Sequence, residues 1–288
     1  MGDWMAIVNR RAGGGRDHES VLDDVRSFAD TVAFTAYPGH ATDLARRAGG
    51  FRGLIVVGGD GTLGEVLNGI DLRRQTLAIV PTGRGNSLAR DLGLYPAARG
   101  LRALASGRAL AIDLMEVGFE DAAGGLHRSL SASIVAVGYP AAVATGAAGR
   151  FLFLGKYGYA AAAAFLPPVK TAMYISGDAA CAQLTGIIAS NTQHLANFMA
   201  LPRASCRDGL FDVMELRATY SAQLAHNLSA LSSLGFYNPV EPRRTAEISV
   251  RLERPQPLMI DGELHPDVTA FQIRLLPSAA AFHVRTPK

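Results

Sequence analysis

Four apolar residues, Leu54-Ile55-Val56-Val57, run without interruption into Gly58-Gly59-Asp60-Gly61-Thr62. An apolar run with no polar alternation fits a strand buried on both faces, as in a parallel sheet. The glycine-rich turn that follows opens a helical pattern, Leu63–Ile70. Glycines there let the backbone turn sharply and approach an anion closely. The N–H groups of the helix start then face that anion, where phosphate is favoured. Asp60 is out of place in a pure phosphate cradle, because a carboxylate repels phosphate. It fits if it holds Mg²⁺ or orients an attacking hydroxyl, and otherwise it caps the helix. The pattern then repeats. The next buried strand, Leu77–Val80, ends in Pro81-Thr82-Gly83-Arg84-Gly85-Asn86-Ser87, followed by a helix through Leu92. Successive parallel strands present both loops at one sheet edge, beyond the strand carboxyl ends, where such folds bind ligands. Arg84 is either a cation for phosphate or a solvated loop residue, and Asn86 can cap the helix and reach a nucleotide.

The flanking segments extend the unit. Trp4–Val8 and Thr31–Ala36 read as strands, and His18–Ala29 and Ala41–Ala48 as helices. Asp43 near the start of the last helix and Arg46 and Arg47 near its end suit the helix dipole. Strand, loop and helix in repetition predict an α/β doubly wound parallel-sheet domain over residues 1–113. After about Asp113 the texture changes to short β-rich segments: Leu114–Phe119, Ser131–Val137, Leu184–Ala189, Gly209–Leu216, Glu247–Leu252 and Phe271–Leu275. Only Tyr157–Leu166 and Ser221–Leu234 look helical there. This predicts an antiparallel β-sandwich domain over residues 114–276, with the tail 277–288 returning to the first domain.

Bulk numbers exclude several classes. At 288 residues, with 49% hydrophobic and 18% charged residues, the chain has ample material for one large or two ordinary cores. A net charge of +3 is too weak for a dedicated nucleic-acid binder. The two cysteines, Cys181 and Cys206, lack metal or redox spacing and read as buried small apolar residues in a reducing compartment. The seven histidines show no metal spacing. The N-terminus reads as a strand rather than a signal peptide, and the apolar stretch from Phe151 to Pro168 is too short and interrupted to span a bilayer. These features predict a cytoplasmic protein that meets lipid, if at all, from the surface.

Gly58 to Gly69, reading GGDGTLGEVLNG, resembles the signature of the diacylglycerol kinase catalytic domain family, which includes sphingosine and ceramide kinases and bacterial soluble lipid kinases. The resemblance extends along the chain. Pro81–Leu92, PTGRGNSLARDL, looks like the family's second nucleotide loop, and Ile112-Asp113-Leu114 like its domain crossing. Asp208-Gly209-Leu210-Phe211-Asp212-Val213 resembles its DGLLDV strand, and Ile260-Asp261-Gly262-Glu263 its late Asp-Gly-Glu motif.

The resemblance implies an ATP-dependent kinase whose active site lies in the cleft between the two domains, transferring phosphate to a lipid hydroxyl. It places Gly58, Gly59, Gly61 and Thr62 under the phosphates, with Glu65 one turn further on. Asn9 matches the asparagine of an opening Asn-Pro motif in which Arg10 here replaces the proline. Thr35 matches a nucleotide-contacting threonine, and Thr82, Gly83, Gly85, Asn86 and Glu263 complete the nucleotide set. Asp261 is the candidate general base and Asp60 its rival. An Asp-Gly pair is by itself an ordinary hairpin turn. A structural Mg²⁺ near Asp208, with Ser205 and Leu210 supplying carbonyls, is implied, though Asp208 equally suits a hairpin. Asp113 corresponds to a contact with the acceptor's polar head or caps a turn.

The family's usual glycine pair is replaced by Asn191-Thr192-Gln193-His194-Leu195-Ala196-Asn197, in the presumed acceptor domain. Phe151, Phe153, Tyr157, Tyr159, Phe165 and Leu166 line either a lipid-facing edge or an ordinary helical core. The expected partners are a lipid substrate and a transient peripheral contact with the inner membrane surface, with no nucleic acid; a homodimer is left open. Two rival readings remain, an NAD kinase-like enzyme acting on a ribose hydroxyl and a non-catalytic nucleotide- or lipid-binding module.

Overall fold

The computed structural model describes residues 2–14, 19–149, 162, 165–176, 181–195, 199–201, 203–217 and 242–285. The chain divides into two compact units. The first comprises Met1–Leu114, Cys206–Asp208 and Leu276–Lys288, and the second Met115–Ser205 and Gly209–Leu275.

The first unit is built on parallel strands β1 (Gly2–Val8), β2 (Thr31–Phe34), β3 (Phe51–Gly58) and β4 (Thr76–Pro81), in the order β4-β3-β1-β2. The end of β16 (Glu263–Val284) adds a parallel partner beside β4, Phe282 opposite Leu77. Every residue of β3 from Gly53 to Gly58 is buried, as its unbroken apolar run requires. On one face Ala6, Val8, Ile55, Val57, Ala78 and Val80 pack with Val21, Leu22 and Val25 of α1 (Glu19–Phe28) and with Leu101 and Leu104 of α5 (Ala97–Ser106). Helices α2 (His40–Arg47) and α3 (Asp60–Leu67) pack on each other. From β1 the chain steps to β2 on one side and then to β3 on the other. That reversal is a topological switch point, and the carboxyl ends of β1 and β3 flank the crevice it creates.

In the second unit, β7 (Ile134–Gly138), β10 (Gly186–Ser190), β13 (Phe211–Leu216) and β14 (Arg243–Thr245) pair antiparallel in that order. β5 (Arg108–Asp121) and β6 (Leu126–Ser131) form a hairpin, as do β8 (Thr171–Ile175) and β9 (Ala182–Leu184). β15 (Glu247–Ile260) serves two partners. Val250–Leu252 pair with β8, and Leu258–Ile260 pair with β7. Register shifts between Arg251 and Leu258, around Pro255 and Pro257, turn the strand from one partner to the other. Alternate residues of these strands, among them Met115, Val117, Val135, Val137, Ile187, Phe211, Val250 and Phe271, form one core. Ala136, Ile188 and Met214 point to the opposite face, where Leu195, Leu201 and Ala204 cover them.

Several boundaries differ from the sequence reading. The single strand expected over Ser131–Val137 is broken at Ala132-Ser133 into β6 and β7, because those two amides turn toward a carboxylate rather than along a ladder. The strands expected at Glu247–Leu252 and Phe271–Leu275 are parts of strands of 14 and 22 residues. A helix the pattern did not predict, α6 (Tyr139–Ala148), starts with proline in its first turn and is apolar around its circumference, so it lacks an amphipathic signature. The helix expected over Ser221–Leu234 and most of that over Tyr157–Leu166 lie outside the described residues.

Candidate active site

In the first unit the glycine loops interlock. Gly59 is the extended residue that precedes α3, and α3 begins at Asp60 rather than Leu63. The Gly58 carbonyl accepts the N–H groups of Thr82 (2.9 Å) and Gly83 (3.2 Å). A Cβ on Gly83 would collide with the Gly59 Cα and come within 2.8 Å of Asn86 Oδ1, so this crossing is open only to glycine. Asn86, at φ 53, accepts from the Gly83 N–H at 3.1 Å and donates to the Gly83 carbonyl at 2.6 Å. Asp60 Oδ1 accepts the Ser87 N–H at 2.8 Å. The carboxylate of the first loop therefore caps the helix after the second loop, α4 (Ser87–Asp91).

Asn9 ties the end of β1 to the same loop. Its Nδ2 donates to Thr62 Oγ1 at 2.9 Å, and its Oδ1 accepts the Arg11 N–H at 3.0 Å. Thr35, at the end of β2, donates its N–H to the Val8 carbonyl at 2.9 Å and is half-buried. The Thr82 hydroxyl is buried without a hydrogen-bond partner. Such a group costs free energy unless a ligand or water completes it, which marks the second loop as a place where a polar ligand is expected. The first unit thus gathers Asn9, Gly58, Gly59, Gly61, Thr62, Thr82, Gly83, Gly85 and Asn86 around the switch point, with Thr35 on the adjoining strand end.

Glu65 has a structural task that spacing did not disclose. Its Oε2 accepts the Ala41 N–H at 3.0 Å, and its carbonyl accepts Thr42 Oγ1 at 2.8 Å. Helix α2 starts after Gly39, at φ 86, which offers no side-chain cap, so Glu65 supplies it from the next helix. Glu65→Ala is expected to lower stability by about 1 kcal/mol through loss of this cap. Glu65→Gln, which keeps an accepting oxygen, should lose less; equal denaturant midpoints for wild type and Glu65→Ala would remove the role.

Asp113 is buried, donates its N–H to the Cys206 carbonyl (2.8 Å) and accepts the Ser278 N–H on Oδ1 (2.8 Å). It therefore anchors the points at which the chain re-enters the first unit. Cys206 is buried and its thiol is pushed up to about 12, chiefly by burial and then by the Asp91 charge. Cys181, expected to be buried, is exposed. Asp208 is exposed, and Ser205 and Leu210 are half-buried.

The second unit holds Asp261. Residues Ile260 and Glu263 are paired across a two-residue turn in which Asp261 (φ 47) and Gly262 (φ 97) both take positive φ. This is the geometry that favours Asp-Gly in a type I′ hairpin. An ordinary turn aspartate would face water, but Asp261 is only 4% exposed. Its Oδ1 accepts Ser131 Oγ (2.9 Å), the Ser133 N–H (3.0 Å) and the Ile134 N–H (2.8 Å), and its Oδ2 accepts the Ala132 N–H (2.7 Å). Its own N–H donates to the Ile134 carbonyl at 2.9 Å. Burial raises the carboxyl above its usual range and outweighs the four hydrogen bonds that favour the charged form. Glu263, two residues on, is exposed.

Residues 3–117 match the diacylglycerol kinase catalytic domain, and residues 133–284 match the YegS C-terminal NAD kinase beta sandwich-like domain. The chain belongs to the diacylglycerol kinase family. It is 35% identical over 105 residues to YtlR from Bacillus subtilis (strain 168), whose name carries lipid kinase as an inferred activity; the match covers 33% of this chain and 34% of that protein. It is 31% identical over 106 residues to human sphingosine kinase 1, covering 32% and 28% respectively. The matched segment is thus about a third of each curated relative's length. A diacylglycerol kinase structure from Bacillus anthracis str. Sterne shares the fold with TM-score 0.74 at 22% identity, covering 98% of this chain and 97% of that one. Among the described residues no helix is long and apolar enough to cross a membrane.

Proposed function

We propose that this member of the family is an ATP-dependent lipid kinase that transfers the γ-phosphoryl group to the hydroxyl of a diacylglycerol-like or sphingoid-like lipid. The interlocked glycine loops at the switch point carry the reading. Amides at the start of α3 receive the phosphates, and the orphan Thr82 hydroxyl completes its hydrogen bonding on the nucleotide. Asn9, Thr35, Gly83, Gly85, Asn86 and Glu263 complete the contacts to ATP.

In the transfer, the lipid oxygen attacks the γ-phosphorus, the bond to the β–γ bridging oxygen breaks, and the hydroxyl proton moves to Asp261. Oδ1 of Asp261 already accepts three donors and Oδ2 only one, so Oδ2 is the oxygen with a lone pair left for that proton. A carboxyl raised by burial holds a proton better than a solvated one, which suits a base acting on a weakly acidic alcohol. The rival base is Asp60, whose Oδ1 accepts the Ser87 N–H at the start of α4. Asp113 is assigned to the polar head of the acceptor.

Among the described residues no three His, Cys, Asp or Glu side chains form a metal cage. Mg²⁺ does not need one, since it keeps much of its water and takes one or two carboxylates with phosphate oxygens. Asp60 would hold such an ion with ATP, and Asp208 with the carbonyls of Ser205 and Leu210 a structural one, the first supplying charge neutralisation on the phosphates. Exposed Leu126, Phe165 and Val169 offer apolar groups for a transient peripheral contact with a membrane.

The rival acceptor is a ribose hydroxyl, as the description of the second domain's family suggests. Turnover of ATP on vesicles containing diacylglycerol or sphingosine, with Mg²⁺ and with excess chelator, tests the reading. Lipid phosphate formed only with Mg²⁺ is expected; full turnover in chelator would contradict the metal-assisted reading.

A further inference from the structure

Asn191 lies on the segment after β10, and neither composition nor spacing assigned it a function. It is fully buried, and it sends two hydrogen bonds to one place. Its N–H donates to the Ser133 carbonyl at 2.8 Å, and its Nδ2 donates to the Ala132 carbonyl at 3.2 Å. These two carbonyls belong to particular peptide groups. The Ala132 carbonyl shares its peptide with the Ser133 N–H, and the Ser133 carbonyl shares its peptide with the Ile134 N–H. Both of those N–H groups end on Asp261 Oδ1, at 3.0 Å and 2.8 Å.

We infer that Asn191 is a positioning residue for Asp261, acting through two parallel peptide relays that fix the Ala132–Ile134 turn and polarise its amides toward Oδ1. The inference rests on the reading of Asp261 as the base. Hydrogen bonds in a chain strengthen one another, the more so where water is excluded. A carbonyl that accepts a bond makes the N–H of the same peptide a better donor. Asn191 therefore holds Oδ1 occupied and leaves Oδ2 as the oxygen that can take a proton. It also explains why the strand breaks at Ala132-Ser133: the turn is held from the far side by the Asn191 side chain and from the near side by the carboxylate.

Neighbouring side chains support a dedicated frame. Ser190 donates its hydroxyl to the Thr192 carbonyl at 2.8 Å, which fixes the Asn191 backbone in the orientation it needs. Ser190, Asn191 and Thr192 are all fully buried. Charged groups on adjoining elements include Glu263 at the start of β16, exposed, and the Asp212–Arg244 pair on β13 and β14, separated by 3.9 Å. Neither is among the hydrogen-bond partners of the Asp261 carboxylate, which burial pushes up and the four donors pull down.

The test is the pH dependence of kcat/KM for lipid phosphorylation by wild type, Asn191→Ala, Asn191→Ser and Asp261→Glu. Asn191→Ala removes one relay donor. Weaker donors stabilise the carboxylate less, so the acid limb should move to higher pH by about half a unit. Turnover should fall about tenfold with the KM for ATP unchanged. Asn191→Ser retains a hydroxyl donor and should recover part of both effects. A structural residue alone would lower the melting temperature and the active fraction while leaving the limb in place, and that result overturns the inference. Asp261→Glu separates the two levels. If it moves the acid limb and Asn191→Ala does not, the relay is wrong; if neither moves it, the base assignment itself fails.

Discussion

Asp261→Asn is expected to reduce lipid phosphorylation by about 100- to 10,000-fold, the range associated with loss of a positioned proton acceptor. ATP affinity should change by less than about twofold, which is under 0.5 kcal/mol, because the glycine loops belong to the other compact unit. The amide that replaces Oδ2 would point a donor at the Ala132 N–H, now 2.7 Å from that oxygen. A buried donor left unpaired costs about 1–3 kcal/mol, so a moderate fall in stability accompanies the loss of turnover. The pH dependence has a definite sign. The folded carboxyl lies above its ordinary 3.8, so its favourable contribution is full below that value and is lost as pH rises through the folded one. The variant should lack this slope, and a chemical-denaturation series from pH 4 to pH 8 would show it. Residual activity within a few-fold of wild type would remove Asp261 from the reaction.

The second large effect is expected at Gly83. Gly83→Ala places a methyl group against the Gly59 Cα and beside Asn86 Oδ1, and neither loop has room to yield without moving its backbone. Overpacking of this kind costs about 1–3 kcal/mol. The same displacement would break the bonds from Thr82 and Gly83 to the Gly58 carbonyl, which hold the loops in register. ATP affinity should fall at least tenfold, about 1.4 kcal/mol, measured by calorimetry on the folded variant. Gly49→Ala, where a Cβ meets nothing within 4 Å, is the control and should bind ATP as wild type does. Unchanged affinity in Gly83→Ala would show that the loop crossing does not shape the nucleotide site.

The parallel unit was legible in the sequence because its signals are local. An apolar run such as Leu54–Val57 must be buried on both faces, and a glycine turn at its end has few other uses. The Asp261-Gly262 turn was legible for the same reason, as a two-residue hairpin with a fixed φ requirement. What the spacing does not carry is where the Asp261 side chain goes. Its partners lie 127 to 130 residues away, and their identity depends on a strand pairing that no periodicity reports. Asn191 was noticed only as a departure from an expected glycine pair; its two carbonyl partners, almost 60 residues back, give it its meaning. Glu65 is similar. The resemblance placed it one turn beyond the phosphate loop; in the structure its carboxylate caps α2, whose own sequence provides Gly39 where a capping side chain would stand. The expected strand Glu247–Leu252 was too short, since β15 continues beyond it through Pro255 and Pro257. In the fold they mark the irregular stretch where β15 changes partner, which is where proline is tolerated.

Every role assigned to these residues depends on transfer of phosphate to a lipid hydroxyl. The most direct measurement follows labelled γ-phosphate from ATP with Mg²⁺ into a panel of diacylglycerol, sphingosine, ceramide, monoacylglycerol, phosphatidylglycerol and NAD, with Asp261→Asn run beside wild type. Label in a lipid that disappears in the variant is the predicted result and names the acceptor. Label confined to NAD, or bound ATP with no transfer to any lipid, would contradict a lipid kinase activity.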